Sequence, residues 1–335
     1  MKKQDNKFKV LSLFSGCGGT DLGFLGGFEY LGKKYEKRNF EIIWSNDIDE
    51  ASCITYEKNF GHKSICGDIR NILEEKTLFE DSRLPNKADI VLGGFPCQDF
   101  SLAGKRRGFN SQRGLLYQSM AEVIKRTKPL IFVAENVKGL LSAHNGEAIE
   151  IIKKDFAKLG YNVSVDLYHA ANFGIPQSRE RVIIVGTNKK AGLPEFKHNP
   201  PRLNPSNWTT LDQAIGDIEN IQEGVLANHF WSRAKMFPGT QGNAVVKADK
   251  IGPTMRAEHH GNIEFHWNGK RRLSAREAAR IQSFPDNFIF YPSTSAAYKQ
   301  IGNAVAPVMA WNIAKEIEKF LEKYYRTGIK RSSHK

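Results

Sequence analysis

The sequence predicts an α/β protein with a mixed, mainly parallel β-sheet and a smaller second domain. Short apolar runs alternate with helical stretches through the first half of the 335-residue chain, which is the pattern of strands joined by crossover helices. Two later apolar runs are joined by a loop too short for such a helix, so they add an antiparallel pair. After Gly186 the alternation stops in a segment rich in proline, asparagine and lysine, which indicates a separate unit.

Six apolar runs are the predicted strands of the sheet. The four expected to lie parallel are Lys9 to Phe14, Glu41 to Trp44, Ala88 to Leu92 and Leu130 to Ala134. The runs Tyr161 to His169 and Arg181 to Gly186 form the antiparallel pair. Apolar residues then recur at helical spacing from Val305 to Leu321, which predicts an amphipathic helix that packs back on the first domain.

The predicted division of the chain has two parts. Residues 1–186 form a catalytic and cofactor-binding domain, which residues 290–328 complete. Residues 187–289 form the small domain with its hinge. This division fits a length that exceeds what one compact core usually contains.

Charge, hydropathy and cysteine spacing restrict the class of protein. Lys and Arg number 49 against 36 Asp and Glu, and the net charge of +13 suggests either a polyanionic partner such as nucleic acid or a merely basic surface. No apolar run approaches the roughly eighteen residues that a membrane span requires. The four cysteines lack zinc-type and disulfide-type spacing. We therefore expect a cytoplasmic protein with reduced thiols, no metal and no membrane contact.

Glycines and carboxylates follow the first strands, at the edge where open α/β sheets bind ligands. The run Phe14 to Gly19 (FSGCGG) permits close approach of a ligand to the backbone, although a purely structural turn fits it equally well. Asp47 can accept hydrogen bonds from both hydroxyls of a ribose, whereas Asp49 suits a helix N-cap. Asp68 can reach an adenine amino group. Their order along successive strands favours a nucleoside cofactor.

Three polar features follow the later strands. Cys97 stands on a loop after a strand; a lone cysteine is more often buried packing than a nucleophile, but this position favours the nucleophile. Glu135 ends the next strand, where an isolated glutamate would otherwise be a surface charge or a cap. The run Gln177 to Arg181 (QSRER) offers two guanidinium groups, which can hold a base carbonyl, a phosphate or Glu135, or remain a solvated charge run.

Taken in order, these runs resemble the motif set of the C5-cytosine-specific DNA methyltransferases of the bacterial restriction-modification type. The matching runs are Phe14 to Gly19, Gly94 to Ser101 (GFPCQDFS), Glu135 to Val137, Gln177 to Arg181, Arg272 to Gln282 (RLSAREAARIQ) and Gly302 to Val305. Chance does not readily produce so many motifs in one order. The resemblance implies a Rossmann-like S-adenosylmethionine-dependent methyltransferase fold with a small target-recognition domain.

The resemblance also implies a mechanism and a cofactor site. Cys97 attacks C6 of a flipped cytosine, Glu135 acts at N3 and Arg179 holds O2. Arg181 of the same motif is also an expected catalytic residue. S-adenosylmethionine donates the methyl group and S-adenosylhomocysteine is the product. The expected cofactor residues are Phe14, Gly16, Gly18, Asp47, Ile48, Asp68, Ile69, Leu116, Asn303, Ala304 and Val305. Many family members carry glutamate where this chain has Asp47.

Double-stranded DNA is the implied partner, read by the stretch from Thr187 to about Arg271. The residues from Ser101 to Gly114 resemble the family's mobile loop, and Gln241 is the candidate to fill the gap left by the flipped base. The expected DNA-contacting residues are Ser101, Arg106, Arg107, Gln241, Thr254 and Arg256.

Further expectations concern partners and rival functions. A monomer in the bacterial cytoplasm or nucleoid is expected, with a cognate restriction endonuclease that acts on the same site without direct contact. The main rival is a transfer RNA cytosine methyltransferase of the same family, but the Cys-Phe-Thr signature of that branch is absent. A zinc deaminase needs His-x-Glu and Pro-Cys-x-x-Cys, which the chain lacks. A nicotinamide dehydrogenase leaves Cys97 and the run from Arg272 unexplained.

Overall fold

A mixed seven-stranded sheet lies at the centre of the protein. The structure is a computed structural model that describes residues 7–74, 84–96, 116–237, 239–240, 242–257 and 263–326. Its strands are β1 (Phe8–Leu13), β2 (Phe28–Tyr30), β3 (Lys33–Tyr35), β4 (Phe40–Asp47), β5 (Ile65–Cys66), β6 (Ile90–Gly93), β7 (Ile131–Val137), β8 (Tyr161–His169) and β9 (Glu180–Asn188). The sheet order is β5-β4-β1-β6-β7-β9-β8, while β2 and β3 form a separate hairpin.

The strand directions confirm the predicted mixed sheet. Strands β5, β4, β1, β6 and β7 pair in parallel, and β9 pairs antiparallel with both β7 and β8. Six of the strands coincide with the six predicted runs to within a few residues. The hairpin and the two-residue β5 were not predicted, because strands of two or three residues are too short to show a period of two.

Helices cover both faces of the sheet. They are α1 (Gly19–Leu25), α2 (Glu50–Phe60), α3 (Ile69–Leu73), α4 (Leu116–Thr127), α5 (Glu147–Lys158), α6 (Leu211–Ile215), α7 (Ala275–Ile281), α8 (Thr294–Asn303) and α9 (Pro307–Arg326). Short 3₁₀ turns occur at Lys138–Leu141, Ala143–Gly146, Ala170–Phe173, Pro205–Asn207 and Gly216–Ile218. None of the helices within the described ranges is long and apolar enough to cross a membrane.

Alternating burial along the strands creates two cores. Val10 of β1 packs with α1 and α9 on one face, whereas Leu11 packs with α3, α4 and α5 on the other. Both faces are buried, as parallel sheets require. The C-terminal helix predicted from the apolar spacing is α9; it lies against α1 so closely that a Cβ on Gly23 would be 2.4 Å from Ala310 Cβ.

A third core joins the segment after Leu211 to the edge of the sheet. Its apolar side chains come from α6, α7, α8 and the intervening loops, together with Cys17 from the glycine run. The segment that reads as a separate unit in the sequence therefore packs directly beside the ends of β1 and β4.

Candidate active site

A cavity of about 1180 Å³ opens at the carboxyl ends of β1, β4, β6 and β7. Polar strand ends and the turn between α8 and α9 form its wall. The sequence-predicted residues that line it are Phe14, Gly16, Asp47, Ile48, Asp68, Ile69, Leu116, Glu135, Arg179, Arg181, Asn303, Ala304 and Val305. Residues that are up to 291 positions apart, from Phe14 to Val305, thus meet in one cavity.

The glycine run after β1 is shaped by a close approach from α2. Gly18 has φ +93°, and a Cβ there would lie 2.2 Å from the Phe60 ring. Any other residue would therefore have to displace an aromatic side chain and adopt a strained backbone. Gly18 packs against the Phe60 ring of α2, whereas Gly16 lines the cavity.

Asp47 braces the glycine run against the end of β4. Its Oδ2 accepts a hydrogen bond from the Gly16 amide at 2.7 Å, and its Oδ1 accepts one from the Asp49 amide at 2.8 Å. Burial raises the pKa of Asp47, while these backbone donors oppose the shift. Each carboxylate oxygen has a second lone pair, so Asp47 can still accept hydrogen bonds from a ligand hydroxyl.

The outer rim of the cavity combines ion pairs with an exposed apolar side chain. Arg70 holds the Asp68 carboxylate and lowers the pKa of Asp68, and Lys299 pairs with Asp49, the N-cap of α2. Ile48 is 69% exposed between these pairs. An apolar surface beside hydrogen-bonding carboxylates suits the adenosine part of a nucleoside ligand.

The catalytic edge of the cavity is built on β6, β7 and β9. Cys97 lies outside the described residues; the backbone is described as far as Pro96. Asn136 fixes the preceding turn, since its Nδ2 donates to the Phe95 carbonyl at 2.9 Å. Glu135 is next to that turn: a Cβ on Gly94 would lie 3.1 Å from Glu135 Oε2.

Glu135 forms an ion pair with Arg181 across the antiparallel β7–β9 ladder. The distance from Arg181 Nε to Glu135 Oε1 is 2.7 Å, and the two side chains are 11% and 18% exposed. A charged pair this close and this sheltered is held in one orientation. The carboxylate and the guanidinium therefore face the cavity as a unit.

Arg179, which is expected to hold the base, lines the cavity and is also bound to backbone carbonyls. It is 1% exposed, and its guanidinium donates to the carbonyl oxygens of Met255, Gly302 and Ala304 at 2.8–2.9 Å. Burial lowers the pKa of Arg179 well below its usual value. Through these three bonds Arg179 joins the cavity wall at Gly302 and Ala304 to the segment around Met255.

The segment around Met255 pairs with the loop before β9. The Met255 amide donates to Gln177 Oε1 at 2.9 Å, and the Thr254 hydroxyl donates to the Ser178 carbonyl. Thr254 and the exposed Arg256 line a second cleft of about 500 Å³ on this side of the protein. The other residues expected at DNA, Ser101, Arg106, Arg107 and Gln241, lie outside the described residues.

Arg272 connects several loops of the segment that is predicted to form the small domain, and this role was not predicted from the sequence. It is 1% exposed and lies over the Phe265 ring at 4.4 Å. At 2.5–2.9 Å its guanidinium donates to the carbonyls of Ala234, Lys235, Gly242 and Ile263 and to Asn243 Oδ1. The loops on either side of the expected recognition residues are therefore held by one side chain.

The spacing of Arg272 and the arginines that follow it in the sequence suggests an exposed position, not the buried one that the structure shows. Arg272, Arg276 and Arg280 recur every four residues and so share one face of α7 and the turn before it. Such a stripe normally faces solvent or a phosphate backbone. Here all three arginines are buried, and Arg276 donates to the backbone carbonyls of Ala227, Pro285 and Phe288.

Comparisons with known proteins point in a single direction. The family model for C-5 cytosine-specific DNA methylases matches residues 8–245 and 239–319. The chain is 37% identical to the type II methyltransferase M.NgoFVII of Neisseria gonorrhoeae, over 95% of this chain and 88% of that protein. It is 39% identical to the type II methyltransferase M.FnuDI of Fusobacterium nucleatum, over 93% and 95%.

Solved structures share the fold. A putative DNA modification methyltransferase encoded within an Escherichia coli prophage superposes with a TM-score of 0.65 at 20% identity, covering 94% of this chain and 100% of that one. The Dnmt2 methyltransferase of Schizosaccharomyces pombe gives 0.65 at 18% identity, covering 93% and 99%. At these identities the likeness bears on the fold alone.

Proposed function

This chain belongs to the C-5 cytosine-specific DNA methylase family, and on that premise we propose distinct catalytic roles for Cys97, Glu135 and Arg181. It is a DNA (cytosine-5-)-methyltransferase, and its catalysis depends on S-adenosylmethionine. The observation that carries the proposal is the Glu135–Arg181 ion pair beside the turn that leads to Cys97.

Cytosine C5 is too weak a nucleophile to be methylated directly, so the ring must first be activated. In the proposed mechanism the Cys97 thiolate adds to C6 and makes C5 electron-rich. The base must leave the duplex, because C5, C6 and N3 cannot all be reached inside the helix. Once C5 has accepted the methyl group, removal of the C5 proton allows Cys97 to be eliminated and restores the aromatic ring.

We assign to Glu135 and Arg181 the stabilisation of the negative charge that develops on the cytosine ring when the thiolate adds to C6. Glu135 donates a hydrogen bond or a proton to N3 when its carboxyl group is protonated. Arg181, whose Nε lies 2.7 Å from Glu135 Oε1, extends its fork towards O2. We assign O2 to Arg181 rather than to Arg179, because Arg179 is buried and backbone carbonyls occupy three of its five N–H donors.

The cavity fits S-adenosylmethionine in size and in the kind of groups that it presents. The run Phe14 to Gly18 would receive the amino-acid end, Asp47 the ribose, and Ile48 and Asp68 the adenine, while Leu116 and the turn at Asn303 to Val305 would close the wall. When bound, the cofactor supplies the electrophilic methyl group that the activated C5 accepts. The carboxylate of Asp47 still has free lone pairs for the ribose hydroxyls.

We propose that the segment containing Thr254 and Arg256 contacts the DNA substrate. The type II methyltransferases among the relatives favour DNA over transfer RNA as the substrate. We infer a monomer in the bacterial cytoplasm, with a cognate endonuclease that recognises the same sequence separately. Methyl transfer to unmodified duplex DNA and to transfer RNA should be compared, followed by bisulfite sequencing of the duplex. Methylated cytosine in one short duplex context is expected; exclusive transfer to RNA would overturn the proposal.

Arg272→Lys is expected to weaken binding to the target duplex by about tenfold or more and to leave S-adenosylmethionine affinity within about twofold. Lysine retains the charge but cannot donate to four carbonyls and an amide oxygen in the fork geometry. Gel-shift titration and calorimetry measure the two affinities. Arg126→Lys is the matched control, because Arg126 pairs with Glu122 on the surface of α4. Unchanged duplex binding in the Arg272 variant would contradict the role.

A further inference from the structure

Asp21 is a buried carboxylate that the proposed chemistry does not use. It lies in the first turn of α1 and is 0% exposed. The Ser12 hydroxyl donates to its Oδ1 and the Tyr56 hydroxyl to its Oδ2, both at 2.6 Å. These distances are typical of strong hydrogen bonds to an ionised carboxylate. Burying an ionised carboxylate costs free energy unless hydrogen bonds compensate for the lost water, so the positions of its donors are closely defined.

The two donors come from the elements that carry the cofactor wall. Ser12 belongs to β1, directly before the glycine run, and it lines the cavity. Tyr56 belongs to α2, which follows the turn at Asp47 and Asp49. Asp21 itself follows the glycine run. The Asp21 carboxylate thus links three elements: β1, which precedes the glycine run, α1, which follows it, and α2, which follows the turn at Asp47 and Asp49.

Tyr56 also forms part of the floor of the glycine run. A Cβ on Gly18 would lie 3.0 Å from Tyr56 Cδ2, and the Tyr56 ring contacts the Phe60 ring with centroids 4.4 Å apart. A shift of Tyr56 would therefore move the support under Gly18. It would also change the separation of Gly16 from Asp47, where the Gly16 amide donates to Asp47 Oδ2 at 2.7 Å.

We propose that Asp21 is a positioning residue for S-adenosylmethionine, which sets the distance between the glycine run and the Asp47 turn. This inference rests on the cofactor site proposed above. Burial raises the pKa of Asp21 to about 6, while its two hydroxyl donors lower it. At neutral pH the carboxylate is therefore mainly ionised and accepts from both donors at once. An amide in its place has one acceptor oxygen and an NH2 group that only donates, so it cannot accept hydrogen bonds from both hydroxyls at once.

The test is Asp21→Asn in the full chain, with S-adenosylmethionine affinity measured by calorimetry and methyl transfer measured at saturating cofactor and DNA. Affinity is expected to fall about tenfold, while kcat stays within about twofold. Tyr56→Phe removes the hydroxyl that donates to Asp21 Oδ2. The double variant is therefore expected to bind S-adenosylmethionine no more than about twofold more weakly than Asp21→Asn alone. If Asp21→Asn does not fold, Tyr56→Phe and Ser12→Ala each test one bond, with weaker cofactor binding expected in both.

Tyr117→Phe is the matched control, because it removes a tyrosine–carboxylate hydrogen bond to Asp155 outside the cavity. Cofactor affinity in that variant is expected to stay at the wild-type value. Wild-type affinity in the Asp21 and Tyr56 variants would overturn the role of Asp21, as would an equal loss of affinity and kcat. A wild-type chain that does not bind S-adenosylmethionine would instead overturn the cofactor site and the role of Asp21 with it.

Discussion

Cys97→Ser is expected to reduce methyl transfer to duplex DNA by at least about 10⁴-fold, whereas affinity for the target duplex changes by no more than about threefold. A serine hydroxyl is a far weaker nucleophile than a thiolate at neutral pH, so addition to C6 fails. The two side chains are similar in size, so binding of the duplex is expected to persist. Transfer of a labelled methyl group from S-adenosylmethionine gives the rate, and gel-shift titration gives the affinity.

The control for this experiment is Cys66→Ser. Cys66 is an exposed free cysteine at the end of β5, so the same exchange there is expected to keep methyl transfer within about twofold of wild type. Full activity in Cys97→Ser would contradict the assignment of the nucleophile. So would loss of activity in both variants, because it would indicate a general sensitivity to thiol removal.

Arg181→Ala is expected to lower kcat by about 10²- to 10³-fold, with S-adenosylmethionine affinity within about twofold of wild type. The substitution frees Glu135 from its 2.7 Å partner and removes the fork that we assign to O2. Arg179→Ala should act differently. It leaves three buried carbonyls without a donor, so it is expected to lower the free energy of unfolding by about 3 kcal/mol or more.

Thermal melts and single-turnover methylation separate these two arginines. Lys138 provides the surface control, because it pairs with Glu180 at the start of β9 and its side chain is largely exposed. Lys138→Ala should leave both the melting temperature and the methylation rate near wild type. A stable Arg179→Ala protein with normal folding and lost chemistry, together with a fully active Arg181→Ala protein, would restore the original assignment of Arg179.

The sheet and its strand ends could be predicted from the sequence because the signals are local. Runs such as Ile131–Val137 are apolar on both faces and end in polar residues, so both the strand and the functional edge are visible in a few consecutive positions. The antiparallel order of β8 and β9 followed from the length of one loop. The separate hairpin was missed because its strands have only three residues each. Its apolar contacts also come from far along the chain, since Phe28 stacks on Tyr35 and Tyr35 packs edge-on against Trp311 of α9.

The roles of the arginines could not be predicted, because distant backbone atoms decide them. Arg179 and Arg181 are chemically identical and two residues apart, so both could face the cavity from the sequence alone. The carbonyls that occupy Arg179 belong to residues 76 to 125 positions away. The same holds for Arg272, whose burial depends on loops that approach it from Ala234 and Gly242.

The most direct test of the account is covalent trapping on a target duplex that contains 5-fluorocytosine. Fluorine at C5 cannot leave as a proton does, so an enzyme that adds to C6 and transfers the methyl group stays attached to the DNA. We expect a stable adduct that requires S-adenosylmethionine, and mass spectrometry should show the cross-linked peptide attached through Cys97. No adduct, or an adduct through Cys17, Cys53 or Cys66, would contradict it.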